Sequence, residues 1–265
     1  MKLLKLGIGY NSKKADKDQD NYFIYNDTIS TIIGVFDGHG TYGHFCSHFA
    51  QQLILKFLLT SIYYESDPIT ALKESFAKTD EALRILALHQ RIFSALLSGT
   101  TATILLRRGE HLYIANVGDS RAIMSIPSKE IIRLSNDHSP DVNSEKERIE
   151  AAGGNIFSGP HKRLYFGGEN YPTLALSRVL GDDIYKAIGV ISEPETSERK
   201  LESTGKIIIA TDGVWEFLKD NEVANIAQRT NASKAALNIV NEAHSRWMKF
   251  NKEVADDITC IVYNF

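Results

Sequence analysis

Acidic side chains stand next to apolar, strand-like runs at four places in this sequence. Asp37, Asp119 and Asp212 each follow such a run, and the pair Asp256-Asp257 precedes another. If these strand ends lie at one edge of the sheets, the carboxylates converge and repel one another, which raises their pKa values unless a cation neutralises them. Carboxylate oxygens are hard ligands that select Mg²⁺ or Mn²⁺. One hypothesis is therefore a divalent-cation site.

The same residues are also compatible with simple turns. Asp-Gly is a common signal for a tight turn between strands, and both Asp37-Gly38 and Asp212-Gly213 carry it. A lone histidine such as His39 is more often a structural or surface residue than a catalytic one. Spacing alone leaves both interpretations open, because sequence order does not show whether the four sites meet in space.

The composition is that of an ordinary globular chain. The 265 residues are 43% hydrophobic and carry a net charge of -3, so neither nucleic acid nor an anionic membrane is an expected partner. No apolar run approaches the ~20 residues that span a bilayer, and the start of the chain is a poor signal peptide. We expect Cys46 and Cys260 to be buried free thiols in a reducing compartment, the cytoplasm or nucleus. A monomer is the default expectation.

Several helices are predicted from apolar spacing and end signals. Phenylalanine and leucine recur every four positions from Phe45 to Phe57, as on one face of a helix. A second helix begins at Pro68, with Asp67 as its N-cap. Ser144–Glu147 is typical of a capping box, for a helix that ends near Gly153. Two further helical segments are expected at Asn221–Gln228 and Ser233–Met248.

Strands are predicted between these helices. Ile32–Phe36 and Ile258–Tyr263 are short buried runs. Thr100–Leu134 contains four short apolar runs separated by turn residues, which predicts an antiparallel meander. The segment Lys206–Leu218 contains another strand, which ends in Asp212-Gly213. The segment Asn155–Tyr171 has no clear period and is predicted to be a flap-like loop.

The order of these elements indicates the fold class. Runs of strands and runs of helices are segregated rather than strictly alternating. This favours an α+β fold in which helices cover antiparallel sheets, and argues against a doubly wound parallel sheet. No Pro/Gly/Ser-rich linker interrupts the chain, so we expect residues 1–265 to form one domain.

Segments along nearly the whole chain resemble the metal-dependent serine/threonine protein phosphatases, the PPM or type 2C family. In the family's order they are DQDNYFIY (18–25), VFDGHGTYG (35–43), SGTTATILL (98–106), LYIANVGDSRAIM (112–124), LSNDHSPDVNSEKERIEAAGG (134–154), LALSRVLGDDIYK (174–186), ISEPET (191–196), IIATDGVWEFL (208–218) and DDITCIVY (256–263). Each segment alone is a weak signal. Their common order is specific, and it favours the metal site over the turn-only interpretation.

The resemblance implies a fold, a cofactor and a set of ligands. The fold is a central antiparallel β-sandwich flanked on both sides by helices, with a metal site at one edge. The cofactor is Mg²⁺ or Mn²⁺, with two ions in the main site and a weaker third. The implied metal-binding residues are Asp20, Asp37, Gly38 through its carbonyl, Asp212 and Asp256, with Asp119 and Glu216 at the weaker position. Asp37 would bridge the two main ions.

The resemblance also implies the reaction, hydrolysis of phosphoserine and phosphothreonine in phosphoprotein substrates. Two metals about 3.5–4 Å apart bind and deprotonate a bridging water. The resulting hydroxide attacks phosphorus in line with the leaving serine or threonine oxygen. His39 matches the family's general acid and would protonate that oxygen. No phosphoenzyme is needed.

Two departures from the family pattern lie near the first motif. Many members have Glu-Asp where this chain has Gln19-Asp20, so Asp20 is the expected ligand or holder of metal-bound water. The family often has a phosphate-binding arginine about five residues earlier, where this chain has Ala15. Lys14 or Lys17 is expected to bind the substrate phosphate instead, although lysine lacks the bidentate fork of arginine.

Two other functions are compatible with parts of this pattern. A catalytically silent protein of the same fold, acting as a regulatory binding module, would be expected to lack the Asp37, Asp212 and Asp256 set, which is present. Another two-metal enzyme, such as a phosphodiesterase or nuclease, would usually bring His-rich metal motifs or a basic surface, and neither is visible. Asp257, where many family members have Asn, is expected to support Asp256 rather than to bind metal.

Overall fold

The computed structural model describes residues 5–12, 18–90, 93–157, 163–165, 173–250 and 255–265. Its strands are β1 (Leu6–Asn11), β2 (Asp20–Asn26), β3 (Ser30–His39), β4 (Gly99–Thr100), β5 (Ala102–Arg108), β6 (His111–Val117), β7 (Arg121–Ser125), β8 (Ile132–Arg133), β9 (Asn155–Phe157), β10 (Arg163–Tyr165), β11 (Thr173–Leu174), β12 (Leu180–Gly181), β13 (Glu195–Lys200), β14 (Lys206–Ala210) and β15 (Ile258–Asn264). Its helices are α1 (Gly43–Leu59), α2 (Pro68–Gln90), α3 (Asn143–Ala151), α4 (Asp183–Lys186), α5 (Asp212–Trp215), α6 (Asp220–Gln228) and α7 (Ala232–Phe250).

Two antiparallel sheets pack face to face. One has the strand order β1-β15-β14-β7-β8, and the other has the order β12-β4-β3-β5-β6-β13, with β2 also paired to β3. Because side chains alternate between the two faces of a strand, Ile207 and Ile209 of β14 enter the space between the sheets. Ile208 and Ala210 pack on the opposite face, under α6 and α7. Helices α1 and α2 cover the outer face of the other sheet, so the predicted α+β sandwich with helices on both sides is confirmed.

The strands between Thr100 and Leu134 divide between the two sheets, which corrects the prediction of one meander. β5 and β6 pair in one sheet, whereas β7 pairs with β14 in the other. The chain crosses at Gly118, whose φ is +94°, a conformation that glycine adopts without steric cost. Strands buried on both faces have no alternating pattern, and the sequence therefore did not indicate in which sheet each run lies.

The first two helices form where the sequence predicted them. In α2 the Asp67 side chain accepts a hydrogen bond from Thr70 N (3.1 Å), the predicted N-cap. In α1 the fully buried hydrophobic residues each follow by one position the phenylalanine and leucine residues that were predicted to form the buried face. They are Cys46, Ala50, Ile54 and Leu58, and the predicted face is half-buried beside them. None of the described helices is long and apolar enough to cross a bilayer.

The capping box predicted at Ser144–Glu147 does not form in α3, and Glu145 within it pairs instead with two arginines. The helix has Val142 as its N-cap, and no side chain caps it. The Glu145 carboxylate, 2% exposed, accepts bonds from three donors, Arg148 Nη2 (2.9 Å), Arg178 Nη2 (2.7 Å) and Ser177 Oγ (2.8 Å). Burial raises the pKa of Glu145, but these bonds outweigh it and the pKa falls to about 2. The charged carboxylate thus ties α3 to the segment that precedes β12.

Strands β9, β10 and β11 form a small antiparallel sheet in the region predicted to be a flap-like loop. β10 lies in the centre, paired with both neighbours. Leu164 of β10 is fully buried against Ile149 of α3 and Leu174 of β11, which anchors the sheet to the domain. Residues 158–162 and 166–172 of this region lie outside the described ranges. Strands of three residues are too short to show a period, and the sequence analysis therefore missed β9 and β10.

Candidate metal centre

Asp20 and Asp37 lie side by side on adjacent strands. They are direct partners in the register of β2 and β3, and opposed residues of an antiparallel pair lie on the same face of the sheet. Two hydrogen bonds with Thr101 fix the backbone of Asp37, one from Asp37 N to Thr101 Oγ1 (3.0 Å) and one from Thr101 N to the Asp37 carbonyl (2.9 Å). Two carboxylates are therefore placed together at the end of β3.

Thr211 connects this pair to the other sheet. It lies between the end of β14 and Asp212, the first residue of α5. Its hydroxyl donates to Asp20 Oδ2 (2.9 Å) and accepts a bond from Thr259 N of β15 (3.1 Å). One buried side chain therefore ties β2, β14 and β15 together directly before Asp212.

The chain that leads into β15 packs closely against α5 and Gln19. A Cβ on Gly213 would lie 2.1 Å from the Asp257 carbonyl oxygen, so this approach requires glycine. The Asp257 carboxylate accepts a hydrogen bond from Gln19 N (3.0 Å), and Asp257 N donates to Asp256 Oδ1 (3.0 Å). These contacts give Asp257 a structural role beside Asp256.

The glycines after Asp37 form a tight turn between β3 and α1. A Cβ on Gly38 would lie 2.3 Å from the Gly43 carbonyl oxygen, and Gly40 has a φ of +79°. Gln19 Nε2 donates to the Gly40 carbonyl (2.9 Å), which gives this neutral residue a structural task. The glycine spacing also matches the G-x-G-x-x-G loop of dinucleotide-binding proteins. Here β3 pairs antiparallel with both β2 and β5, so the segment does not open the parallel βαβ unit that such a loop requires.

Asp119 faces the same cavity as Asp37 and Asp212. This cavity has a volume of about 310 Å³ and is also lined by His39. An adjoining cavity of about 380 Å³ shares Asp119 and Asp212 and is lined further by Glu216. The structure therefore brings these predicted site residues to one region, although Asp37, Asp119 and Asp212 lie far apart in the sequence.

Burial and mutual repulsion raise the pKa values of these carboxyl groups. Burial, and then the charges of Asp212 and Asp20, raise the pKa of Asp37 well above its usual range. Burial raises the pKa of Asp119 to about 8, and the charge of Asp212 adds to the rise. Burial raises the pKa of Asp212 to about 6, where a hydrogen bond from Asp37 opposes the rise and the charge of Asp256 adds to it. The cluster therefore favours an added positive charge.

The residues present fit a divalent cation. Asp20 Oδ1 is buried and has no hydrogen-bond partner among the described residues. The carboxyl groups of Asp37 and Asp212 each shift the pKa of the other, and two carboxyl groups placed so closely need a proton or a cation between them. Among the residues that the structure describes, no group of three or more His, Cys, Asp or Glu side chains is arranged to hold a metal ion. The donors are nevertheless all hard oxygens, which Mg²⁺ and Mn²⁺ prefer, and a cation would take the place of the shared proton.

His39 pairs with a residue that the sequence analysis did not single out. His39 Nε2 lies 2.5 Å from Asp182 Oδ2. Asp182 is 1% exposed and has a left-handed backbone with φ of 52°, and its backbone N donates to the Ser98 carbonyl (3.0 Å). Burial lowers the pKa of His39, but the Asp182 charge outweighs it, and the pKa is raised overall. The pair favours a protonated ring at the edge of the cavity.

The predicted phosphate-binding residues Lys14 and Lys17 lie outside the described residues. Arg163 of β10 lines both cavities and was not predicted. No sequence signal pointed to it, because its position over the cavities depends on the small sheet that the sequence analysis missed.

Without divalent cations the fold should lose stability as the pH rises. Asp212 and Asp119 have folded-state pKa values of about 6 and about 8, above the ~3.9 of an unfolded aspartate. The folded state therefore binds more protons than the unfolded state in this window, and stability falls as the pH rises through it. We expect the Tm in EDTA to fall by several degrees between about pH 5 and pH 8.5, and Mn²⁺ to restore most of it at the upper end.

Scanning calorimetry of the wild type and of Asp119→Asn would check this expectation. The variant lacks the Asp119 carboxyl group, whose pKa is about 8, so its Tm in EDTA should vary less between about pH 7 and pH 8.5. A wild-type Tm in EDTA that is level or rises over the whole range would contradict the repulsion argument.

Comparisons with known proteins identify the family of this chain. Residues 15–254 match the family model described as protein phosphatase 2C. The chain is 35% identical to probable protein phosphatase 2C 34 of Arabidopsis thaliana, over 88% of this chain and 71% of that protein. It is 31% identical to probable protein phosphatase 2C 72 of the same plant, over 89% of this chain and 77% of that protein.

Solved structures agree with the fold. The serine-threonine phosphatase 2C from Toxoplasma gondii superposes with a TM-score of 0.83, covers 98% of this chain and 94% of its own, and is 21% identical. A C. elegans sex determining protein superposes with a TM-score of 0.73 over 98% of this chain and 64% of its own, at 23% identity. With the family model and the curated relatives, the conclusion is direct: this chain belongs to the protein phosphatase 2C family of metal-dependent serine/threonine protein phosphatases.

Proposed function

We propose that this serine/threonine protein phosphatase works with two divalent cations, Mg²⁺ or Mn²⁺, held by the aspartate cluster, and with a weaker third. The observation that carries the proposal is the convergence of carboxylates from four separate chain segments, with pKa values raised by burial and by one another. When bound, such cations activate water and offset the charge of the transferred phosphoryl group.

We assign the ligands from the same cluster. Asp37 would contact both main ions, because it is the register partner of Asp20 and the charges of both Asp212 and Asp20 raise its pKa. The remaining ligands of the main site are Asp20, the Gly38 carbonyl, Asp212 and Asp256. Asp119 and Glu216 face the adjoining cavity with Asp212, which suits the weaker third ion.

His39 is the general acid in this proposal. Its ring is half-buried at the cavity edge, and the Asp182 carboxylate holds a proton on it. A protonated imidazole next to the cavity can give its proton to the leaving serine or threonine oxygen, whose alkoxide is too basic to leave unprotonated.

Water, rather than a side chain, is the attacking group in this proposal. Both cysteines are buried, and burial raises the pKa of Cys46 and of Cys260, so neither is a reactive thiolate.

The buried, reduced thiols also support an intracellular site of action, in the cytoplasm or nucleus. We further propose that residues 1–265 form one catalytic domain and that it acts as a monomer.

Metal binding tests the number of ions directly. Equilibrium dialysis of the wild type against Mn²⁺ should give two ions per chain at low concentration and a third only at higher concentration. Asp256→Asn should lose one of the tight ions, and Asp119→Asn only the weak one. Glu150→Gln, an exposed acid on α3, is the matched control and should bind as the wild type does. One tight ion in the wild type, or a full complement in Asp256→Asn, would contradict the assignment.

A further inference from the structure

We infer that Arg163 binds the phosphoryl group of the substrate, an inference that rests on the proposed function of the cavity. Arg163 begins β10, the central strand of the small sheet. It lines the cavity that holds Asp37 and His39 and also the adjoining cavity that holds Glu216. The small sheet therefore presents one guanidinium group to both parts of the aspartate cluster.

The neighbouring strand orients this guanidinium group. Arg163 Nε donates to Thr173 Oγ1 (2.7 Å), and Nη2 donates to the Thr173 carbonyl (3.2 Å). Thr173 lies on β11, and β11 is held next to β10 by backbone pairing. A guanidinium group carries five N–H donors in a rigid plane, so two bonds to Thr173 set its direction and leave further donors for a ligand.

Arg163 and the other arginine at the site differ in whether an acidic side chain compensates their positive charge. Arg121 lines the adjoining cavity but forms ion pairs with Asp137 and Asp220, so its charge is compensated. Across the described ranges, with their gaps, the bonds of Arg163 go to the neutral Thr173 alone, and the side chain is exposed. It is thus a preoriented cation beside a cluster of carboxylates.

This chemistry recognises a phosphate monoester. A planar guanidinium group can bond two oxygens of one phosphate at once, which a lysine ammonium group cannot do. The chain has Ala15 where the family often has its phosphate-binding arginine. Arg163, from the middle of the sequence, lines the cavities of the same cluster and can supply the fork that Ala15 lacks.

The inference is tested with Arg163→Ala, Arg163→Lys and the matched control Arg199→Ala, an exposed arginine on β13. The readouts are kcat and KM for a phosphothreonine peptide with Mn²⁺, and the inhibition constant of inorganic phosphate. Loss of a charge-assisted, bidentate contact at an exposed position should raise both KM and the inhibition constant about tenfold in Arg163→Ala. For Arg163→Lys both constants should lie between those of the wild type and those of Arg163→Ala. Arg199→Ala should match the wild type.

Two further measurements separate phosphate binding from a structural role. Mn²⁺ binding by Arg163→Ala should equal that of the wild type, and added guanidinium chloride at millimolar concentration should restore part of its phosphate binding. An unchanged phosphate inhibition constant in Arg163→Ala, or the tenfold effect appearing in Lys14→Ala or Lys17→Ala instead, would overturn the inference. If the wild type neither hydrolyses the peptide nor binds phosphate, the proposed function is overturned as well. If the wild type is active and Arg163→Ala has the same KM and phosphate inhibition constant, only the role of Arg163 is overturned.

Discussion

Replacing Asp37 with asparagine is expected to reduce kcat/KM for a phosphothreonine peptide by at least about a thousandfold. The amide keeps the size of the side chain but removes the negative charge at the centre of the cluster, next to both Asp20 and Asp212. Metal ions contribute several kcal/mol of charge stabilisation to such reactions, and each ~1.4 kcal/mol is a factor of ten in rate. EDTA should abolish the activity of the wild type for the same reason.

A control and a stability measurement make this result specific. Asp27→Asn, at the other end of the β2–β3 hairpin, keeps an amide oxygen for the turn bonds from Ile29 N and Ser30 N and should remain active. Because Asp37→Asn removes one repelling carboxylate, its Tm in EDTA near pH 8 should be equal to or above that of the wild type. Activity that survives EDTA or the Asp37 substitution would contradict metal-dependent catalysis at this cluster.

The strand ends could be predicted because their physical causes are local. A buried β-branched run indicates a strand wherever it occurs, and β3 and β14 form as expected. The turn interpretation of Asp-Gly is wrong at both places, because Asp37-Gly38 lies within β3, which continues to His39, and Asp212-Gly213 opens α5. The local pattern nevertheless placed Asp37 near the end of β3 and Asp212 just after β14. What joins them is not local: the Thr211 hydroxyl bonds Asp20 Oδ2 across 191 positions of the sequence. From the sequence, only the family resemblance indicated that the carboxylates lie together. The bond between Thr211 and Asp20 is a tertiary contact that the structure shows.

Residues that act through tertiary contacts had no comparable signal. Asp182 reaches His39 because its own backbone adopts a left-handed conformation after Gly181, which side-chain pattern does not reveal. Ser144 and Glu147 match a capping box in the sequence, but the helix begins earlier, at Asn143, and Glu145 between them forms buried ion pairs with Arg148 and Arg178. Arg163 depends on pairing between strands of two or three residues, too short for any periodicity.

Replacing His39 with alanine is expected to affect substrates according to their leaving groups. Threonine alkoxide is a poor leaving group and needs a proton, whereas p-nitrophenolate leaves without one. General acid catalysis contributes about 10²–10⁴-fold, so His39→Ala should lose that much kcat on a phosphothreonine peptide and far less on p-nitrophenyl phosphate. His111→Ala, an exposed histidine paired with Glu198, is the control and should behave as the wild type on both substrates.

The loss of kcat on the phosphothreonine peptide, divided by the loss on p-nitrophenyl phosphate, shows whether His39 donates a proton or only shapes the cavity. If the ring served mainly to hold Asp182 or the turn at Gly40, its removal would disturb the metal cluster and slow both substrates equally. Asp182→Asn separates these roles further, because it leaves the ring in place but removes the charge that keeps the ring protonated. Asp182→Asn should therefore reproduce the leaving-group dependence of His39→Ala in weaker form. Equal losses on both substrates in both variants would show that the pair is structural and that the proton comes from elsewhere.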